Sequence, residues 1–205
     1  MSQASNSEQS NPEPQRYIIL DSCIFKYLDK LGADSQIIAL LDDALKKQYG
    51  LSISTFTLLE LINTSTIENE VKSVNATSAL KHFEVTQEVL IAAGHLGCMY
   101  KDDGMDGNKQ KPPDVGDKII AASAVMHDAV IFTINGRDFP QPFFNIIAKP
   151  ILIHTQPDGR EVHTPSYFIE PDLDYIGKKH NERISEHEKK TTPKKPKPKK
   201  EPRKE

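Results

Sequence analysis

A three-layer α/β/α fold, doubly wound around a central parallel sheet, is predicted for this chain from three features of its sequence. Short unbroken apolar runs, YIIL (17–20), LSIS (51–54), VIFT (130–133) and ILIH (151–154), alternate with longer stretches of helical periodicity. Each run suits a strand buried on both faces. The apolar residues extend from Tyr17 to about Ile176 and the ends are polar, which predicts one core of about 150–160 residues, enough to fold without staples.

The elements follow in order. YIIL ends in Asp21, after which Ile24, Phe25 and Leu28 fit a short helix. Ile37, Ile38, Leu41 and Leu45 fit a second helix, which Asp34 or Ser35 can cap and Gly50 can follow. LSIS is the second strand. Thr55 opens a helix carrying Leu58, Leu59 and Ile62, with Glu60 among them, and a further helical stretch covers about 68–83. Thr86–Tyr100 reads as a helix that Gly94 and Gly97 weaken. A turn-rich loop occupies Lys101–Pro113. Val115–His127 has the small-residue face of a helix packed closely on a sheet, and VIFT, an Asn135-Gly136 turn and a fourth strand at Pro150–His154 complete the alternation.

Four segments are expected: a disordered start over 1–15, a folded domain over 16–154, an extension over 155–177 that can form a hairpin around Pro157-Asp158-Gly159, and a basic Pro/Lys-rich disordered tail over 178–205. The formal net charge of −3 hides an asymmetry. The stretch 178–205 carries about +7 and the remainder about −10. An acidic body argues against gripping nucleic acid by its general surface and fits a protein that gathers carboxylates at one place. Cys23 and Cys98 sit in no zinc-binding or redox spacing, and no apolar run reaches membrane-spanning length. A reduced cytoplasmic protein is the expectation.

In an open parallel sheet, ligands bind beyond the carboxyl ends of the strands where the winding reverses. Asp21 follows the first strand, Glu60 lies one to two turns after the second, Asp117 opens the helix before the third, and Asn135 and Asp138 follow that third strand. All five can reach one rim. Converging carboxylates repel and raise one another's pKa, and a divalent cation removes that cost. Taken singly the residues are ambiguous. An Asp after a strand is often only a helix cap, and Asp114 competes with Asp117 for capping. Glu60 inside the apolar run LLELI is harder to explain as a core-facing position.

The strings Asp21-Ser-Cys-Ile-Phe, Ser54-Thr-Phe-Thr-Leu-Leu-Glu60-Leu, Asp117-Lys-Ile-Ile-Ala-Ala-Ser-Ala and Phe132-Thr-Ile-Asn-Gly-Arg-Asp138-Phe resemble, in order and spacing, the four motifs of PIN domains. The closest look is to the toxin ribonucleases of bacterial type II toxin–antitoxin systems. The resemblance spans residues 17–139. It implies that 16–154 is a PIN-like nuclease domain, an Mg²⁺- or Mn²⁺-dependent endoribonuclease in which an activated water attacks phosphorus in line and leaves a 5′-phosphate. Asp21, Glu60 and Asp117 match the three main acids, and Asn135 and Asp138 share the fourth position. Catalysis is thereby assigned to Asp21, Glu60, Asp117 and Asp138, and metal ligation to these and Asn135, with one ion favoured over two. Ser22 and Thr133 match hydroxyl positions that support the acids. An RNA substrate, a protein antitoxin and a homodimer are the implied partners.

Other readings compete. A dehalogenase-like phosphatase needs a second Asp two positions after the first, where Cys23 stands. A catalytically inert PIN-like RNA-binding or assembly module is favoured only by Asn135 in an acidic position. None of the seven histidines has a zinc-protease spacing. The basic tail can contact phosphates or be passive, and the early helices, about 24–48, are where a partner groove is expected.

Overall fold

The computed structural model describes residues 14–28, 30, 32–63, 66–104 and 113–191. In chain order the elements are β1 (Arg16–Leu20), α1 (Ser22–Leu28), α2 (Ala33–Lys46), β2 (Tyr49–Ser54), α3 (Thr55–Asn63), α4 (Ile67–Thr77), β3 (Lys81–Phe83), α5 (Gln87–Asp102), α6 (Val115–Met126) and β4 (Val130–Thr133). A 3-10 turn at Gly136–Asp138 precedes β5 (Phe144–Ala148), β6 (Ile151–Thr155), β7 (Glu161–Pro165), β8 (Tyr167–Pro171) and α7 (Leu173–Thr191). Six strands form one sheet in the order β3-β2-β1-β4-β8-β5. The chain winds outward through β2 and β3, then returns to place β4 on the other side of β1. The winding reverses between β1 and β4.

Strand alternation builds two cores, one on each face of the sheet. Ile18 and Leu20 of β1 join Val130 and Phe132 of β4 in a cluster with Ile24 of α1 and Ile37 of α2. Ile19 and Ile131 join the opposite cluster with Leu96 and Tyr100 of α5 and Ile119 and Ala122 of α6. The six strand residues are at most 3% exposed, so the three-layer arrangement predicted from unbroken apolar runs holds. Each such aliphatic side chain contributes about 1.5–3 kcal/mol by burial.

Five expectations are corrected. The helix expected over 68–83 stops at Thr77, whose hydroxyl donates back to the carbonyls of Ser73 and Val74. Residues 81–83 then pair with β2 as a parallel edge strand, too short to carry a periodic signal. Residues 151–154 leave the main sheet and pair antiparallel with β7, with the turn made by Pro157-Asp158-Gly159, where Gly159 has φ +83. The hairpin therefore begins before residue 155. The sheet is parallel only from β3 to β4, since β8 and β5 run antiparallel at its other edge. At α2 neither Asp34 nor Ser35 caps. Gly32 does, in a left-handed conformation without a side-chain bond.

Finally, 178–191 is not tail but the greater part of α7. Lys179 and the Tyr175 hydroxyl each donate to Asp103 at 2.7 Å, and Arg183 pairs with Asp102, so charges on α7 clamp the end of α5. Residues 192–205 and 1–13 lie outside the described residues; Gln15, expected in a disordered start, donates its amide to Gln48.

The β6–β7 hairpin rests on the early helices. Gln36 of α2 takes the place of a neighbouring strand, donating to the Ile153 carbonyl at 2.6 Å and accepting from its amide at 3.0 Å. The Tyr27 hydroxyl meets that of Thr164 at 3.3 Å. Part of the surface where a partner groove was expected is thus occupied by the chain itself. Both cysteines are free, and among the described residues no helix is long and apolar enough to cross a membrane.

Candidate metal centre

The reversal between β1 and β4 brings two strand ends together, and the first acid stands there. The Asp21 amide donates to the Phe132 carbonyl at 3.1 Å, extending the β1–β4 ladder by one residue. This sets Asp21, 4% exposed, beside Thr133. The Thr133 hydroxyl donates to Oδ2 of Asp21 at 2.6 Å, and the Cys23 thiol approaches the same oxygen at 3.0 Å. Burial, then the neighbouring Asp21 charge, push the Cys23 thiol well above its usual range. It stays protonated and donates, while its sulfur accepts from the Ile134 amide at 3.4 Å. The partners that hold the Asp21 carboxylate are side chains from the rim, which is a different arrangement from a helix cap bound to backbone amides.

Glu60 is half-buried on α3. Ser54 starts this helix by accepting from the Phe56 amide at 3.2 Å. Burial raises the Glu60 pKa, a hydrogen bond from Ser22 opposes the rise, and Asp21 and Asp114 add to it. Ser22 also reaches Oδ1 of Asp21 at 3.4 Å, so one hydroxyl links the acids that follow β1 and β2. The support expected of Ser22 and Thr133 is present in the geometry.

Asp117 is the third residue of α6. Asp114 is the cap: its Oδ1 accepts from the Asp117 amide at 3.0 Å, while Oδ2 of Asp117 accepts from the Asp114 amide at 3.1 Å. This reciprocal box resolves the competition between the two residues. Gly116 brings the turn close to α3, because a Cβ there would lie 2.4 Å from the Phe56 ring. Burial first, then Asp138, Asp114 and Asp21, push the Asp117 pKa up to about 7. Asp138 ends the 3-10 turn after β4, its amide bonded to the Asn135 carbonyl at 3.0 Å. Gly136 is required beside it, since a Cβ would sit 2.9 Å from the Tyr167 ring.

Asp21, Glu60, Asp117 and Asp138 therefore share one electrostatic field. Asn135 is exposed and joins the arrangement through its backbone amide, which donates to the Thr133 hydroxyl at 2.9 Å. Asp114 was anticipated as a cap but not as a charge acting on Glu60 and Asp117, and Cys23 as a partner of Asp21 was not anticipated. The Asp-x-x-Asp spacing at 114–117 carried a signal for the first; only the contact with Asp21 reveals the second.

All the acids offer oxygen, the donor that hard divalent cations prefer, and their mutual repulsion is what such a cation relieves. Among the described residues no three His, Cys, Asp or Glu side chains stand close enough to enclose an ion. The donor chemistry fits a cation. A cleft of about 540 Å³ between α5 and α7 is lined by Asp102, Lys179, Arg183 and Glu186 among others and includes none of these acids.

No family model and no curated protein matches the chain. Solved structures do. The likeness is to toxin–antitoxin complexes. A chain of the VapBC2 complex of Rickettsia felis, bound to a DNA fragment from its promoter, aligns at 20% identity over 60% of this chain and 90% of its own, with a TM-score of 0.49. A toxin–antitoxin complex from Klebsiella pneumoniae aligns at 21% identity over 61% and 92%, TM-score 0.46. VapBC-1 of nontypeable Haemophilus influenzae gives 20% identity over 60% and 90%, TM-score 0.47.

Proposed function

We propose that this protein is a metal-dependent endoribonuclease of the PIN type, with its active site on the rim formed by Asp21, Glu60, Asp117 and Asp138. The observation that carries the reading is the gathering of these acids at the reversal of the sheet, where burial first and then Asp138, Asp114 and Asp21 push Asp117 up to about 7. Like charges held together at such a place mark a site built for a cation.

Asp21, Glu60 and Asp117 are the residues that hold a Mg²⁺ or Mn²⁺ ion, with Asp138 or Asn135 as a fourth ligand. A divalent cation bound there supplies a water of lowered pKa and offsets charge on the phosphate oxygens. The protein's own contribution is orientation. Thr133 and Cys23 both engage Oδ2 of Asp21, which fixes the plane of the carboxylate, and Ser22 ties Asp21 to Glu60. Without a cation the rim repels a phosphodiester, so binding of RNA and of metal are coupled.

Cleavage of an RNA pool with Mn²⁺, followed for the wild type and Asp21→Asn, tests this. Metal-dependent cleavage that disappears in the variant is expected, and equal activity in the two proteins overturns the role given to Asp21. No Mn²⁺ uptake at millimolar concentration points to an inert RNA-binding or assembly module. The motif resemblance extends the reading to the toxin member of a toxin–antitoxin pair in the cytoplasm; growth arrest on expression that survives Asp21→Asn would contradict it.

A further inference from the structure

Tyr100 lies on α5, 1% exposed, with its ring edge-on to Phe143 at a centroid separation of 4.9 Å. That packing needs no oxygen, and phenylalanine would make the same contact. The hydroxyl is nevertheless buried and without a hydrogen-bond partner among the described residues. A buried polar atom left in that condition is unfavourable and calls for a reason.

Its surroundings supply one. Tyr100 belongs to the core cluster shared by α5 and α6. The two helices approach closely where Gly97 faces the Lys118 side chain, which a Cβ would meet at 3.3 Å. Burial raises the pKa of the Tyr100 hydroxyl, and the charge of Asp117, adjacent to Lys118 in the first turn of α6, raises it further. Asp117 meanwhile has Oδ2 bound to the Asp114 amide. That bond is replaceable, because Asp114 is exposed and water can satisfy its amide when Asp117 turns away. Among the described residues no three acids enclose an ion as they stand, and a carboxylate that turns from one donor to do so is steadied by finding another.

We propose that Tyr100 is a positioning residue of the rim, whose hydroxyl donates to Asp117 once that carboxylate turns from the Asp114 amide toward a divalent cation. The inference rests on the metal-dependent reading above. It gives the orphaned hydroxyl a partner in the loaded state, as outer hydrogen bonds orient ligands in other metal sites.

The test uses the full chain, with Mn²⁺ titrated calorimetrically into the wild type and Tyr100→Phe, and thermal unfolding of both proteins without metal. The variant is expected to unfold at the same or a higher temperature without metal, because an unpartnered hydroxyl has been removed, and to bind Mn²⁺ about 10–100-fold more weakly. Equal Mn²⁺ affinity overturns the proposal. So does a lowered unfolding temperature without metal, which would mean that the hydroxyl already has a partner at rest. A wild type that takes up no Mn²⁺ overturns the nuclease reading and this inference with it, an outcome distinct from binding that Tyr100→Phe leaves unchanged.

Discussion

At the start of β1, Arg16 holds Asp128 and Glu170 at 2.7 Å each and donates to the Asp128 carbonyl at 2.6 Å. At the other end of the same strand, Asp21 enters a field in which Glu60, Asp114, Asp117 and Asp138 act as like charges. The first arrangement neutralises itself and ties β1, β4 and β8 together. The second gathers like charges, relieved in part by Arg137, 3.7 Å from Asp138, and by the charge of Lys26 acting on Glu60. One end of the sheet pairs its charges to hold the fold, and at the other we propose that charge holds a ligand.

Asp117→Asn breaks this contrast most strongly. Cleavage is expected to fall at least about a hundredfold, since a metal ligand has lost its charge. Stability without metal should move the opposite way. The folded pKa of Asp117, about 7, lies above its ordinary value of 3.8. The associated stabilisation is full below the lower value and is lost as pH rises through about 7. The metal-free wild type should therefore be less stable at pH 8 than at pH 5, by about 1–2 kcal/mol after allowing for solvent screening of a partly exposed group. Asp117→Asn should flatten that profile, and denaturant unfolding at the two pH values measures it. A wild type equally stable at both would show that burial and the neighbouring acids do not raise Asp117 as described.

Thr133→Val sharpens the comparison at the junction of β1 and β4. It keeps the shape of the side chain but removes the 2.6 Å donor to Asp21 and the acceptor of the Asn135 amide. A loss of about 1–3 kcal/mol is expected, because a buried carboxylate loses its closest donor, together with weaker Mn²⁺ binding by calorimetry. Unchanged stability would mean that Cys23 and Ser22 suffice to hold Asp21. Arg16→Met should have the smallest effect. The salt bridges it removes are partly exposed, so about 1 kcal/mol is lost in denaturant unfolding. Cleavage per folded molecule should stay unchanged, and a fall in cleavage would mean that the two ends communicate.

The parts of the fold that were legible share one property, a buried run long enough to leave a period. Ile18 to Leu20 and Val130 to Phe132 announce strands covered on both faces, and the small residues of α6 announce a helix that packs closely. β3 escaped notice because three residues with one fully buried side chain leave no pattern. β6 was read as a member of the main sheet because an apolar run does not specify its neighbour. α7 resembled tail because its Lys and Arg residues pair with carboxylates at the end of α5, far away in sequence.

The site divides in the same way. That candidate acids stand at strand ends and helix starts follows from local order along the chain: Asp21 after YIIL, Glu60 within LLELI, Asp117 three residues after its cap. That the Asp138 charge acts on Asp117, that Cys23 donates to Asp21, and that a Tyr100 hydroxyl is buried without a partner among the described residues are matters of tertiary structure. Hydrophobic period and residue order are properties of neighbours in the chain, whereas fields, donors and orphaned atoms arise between residues that only folding brings together.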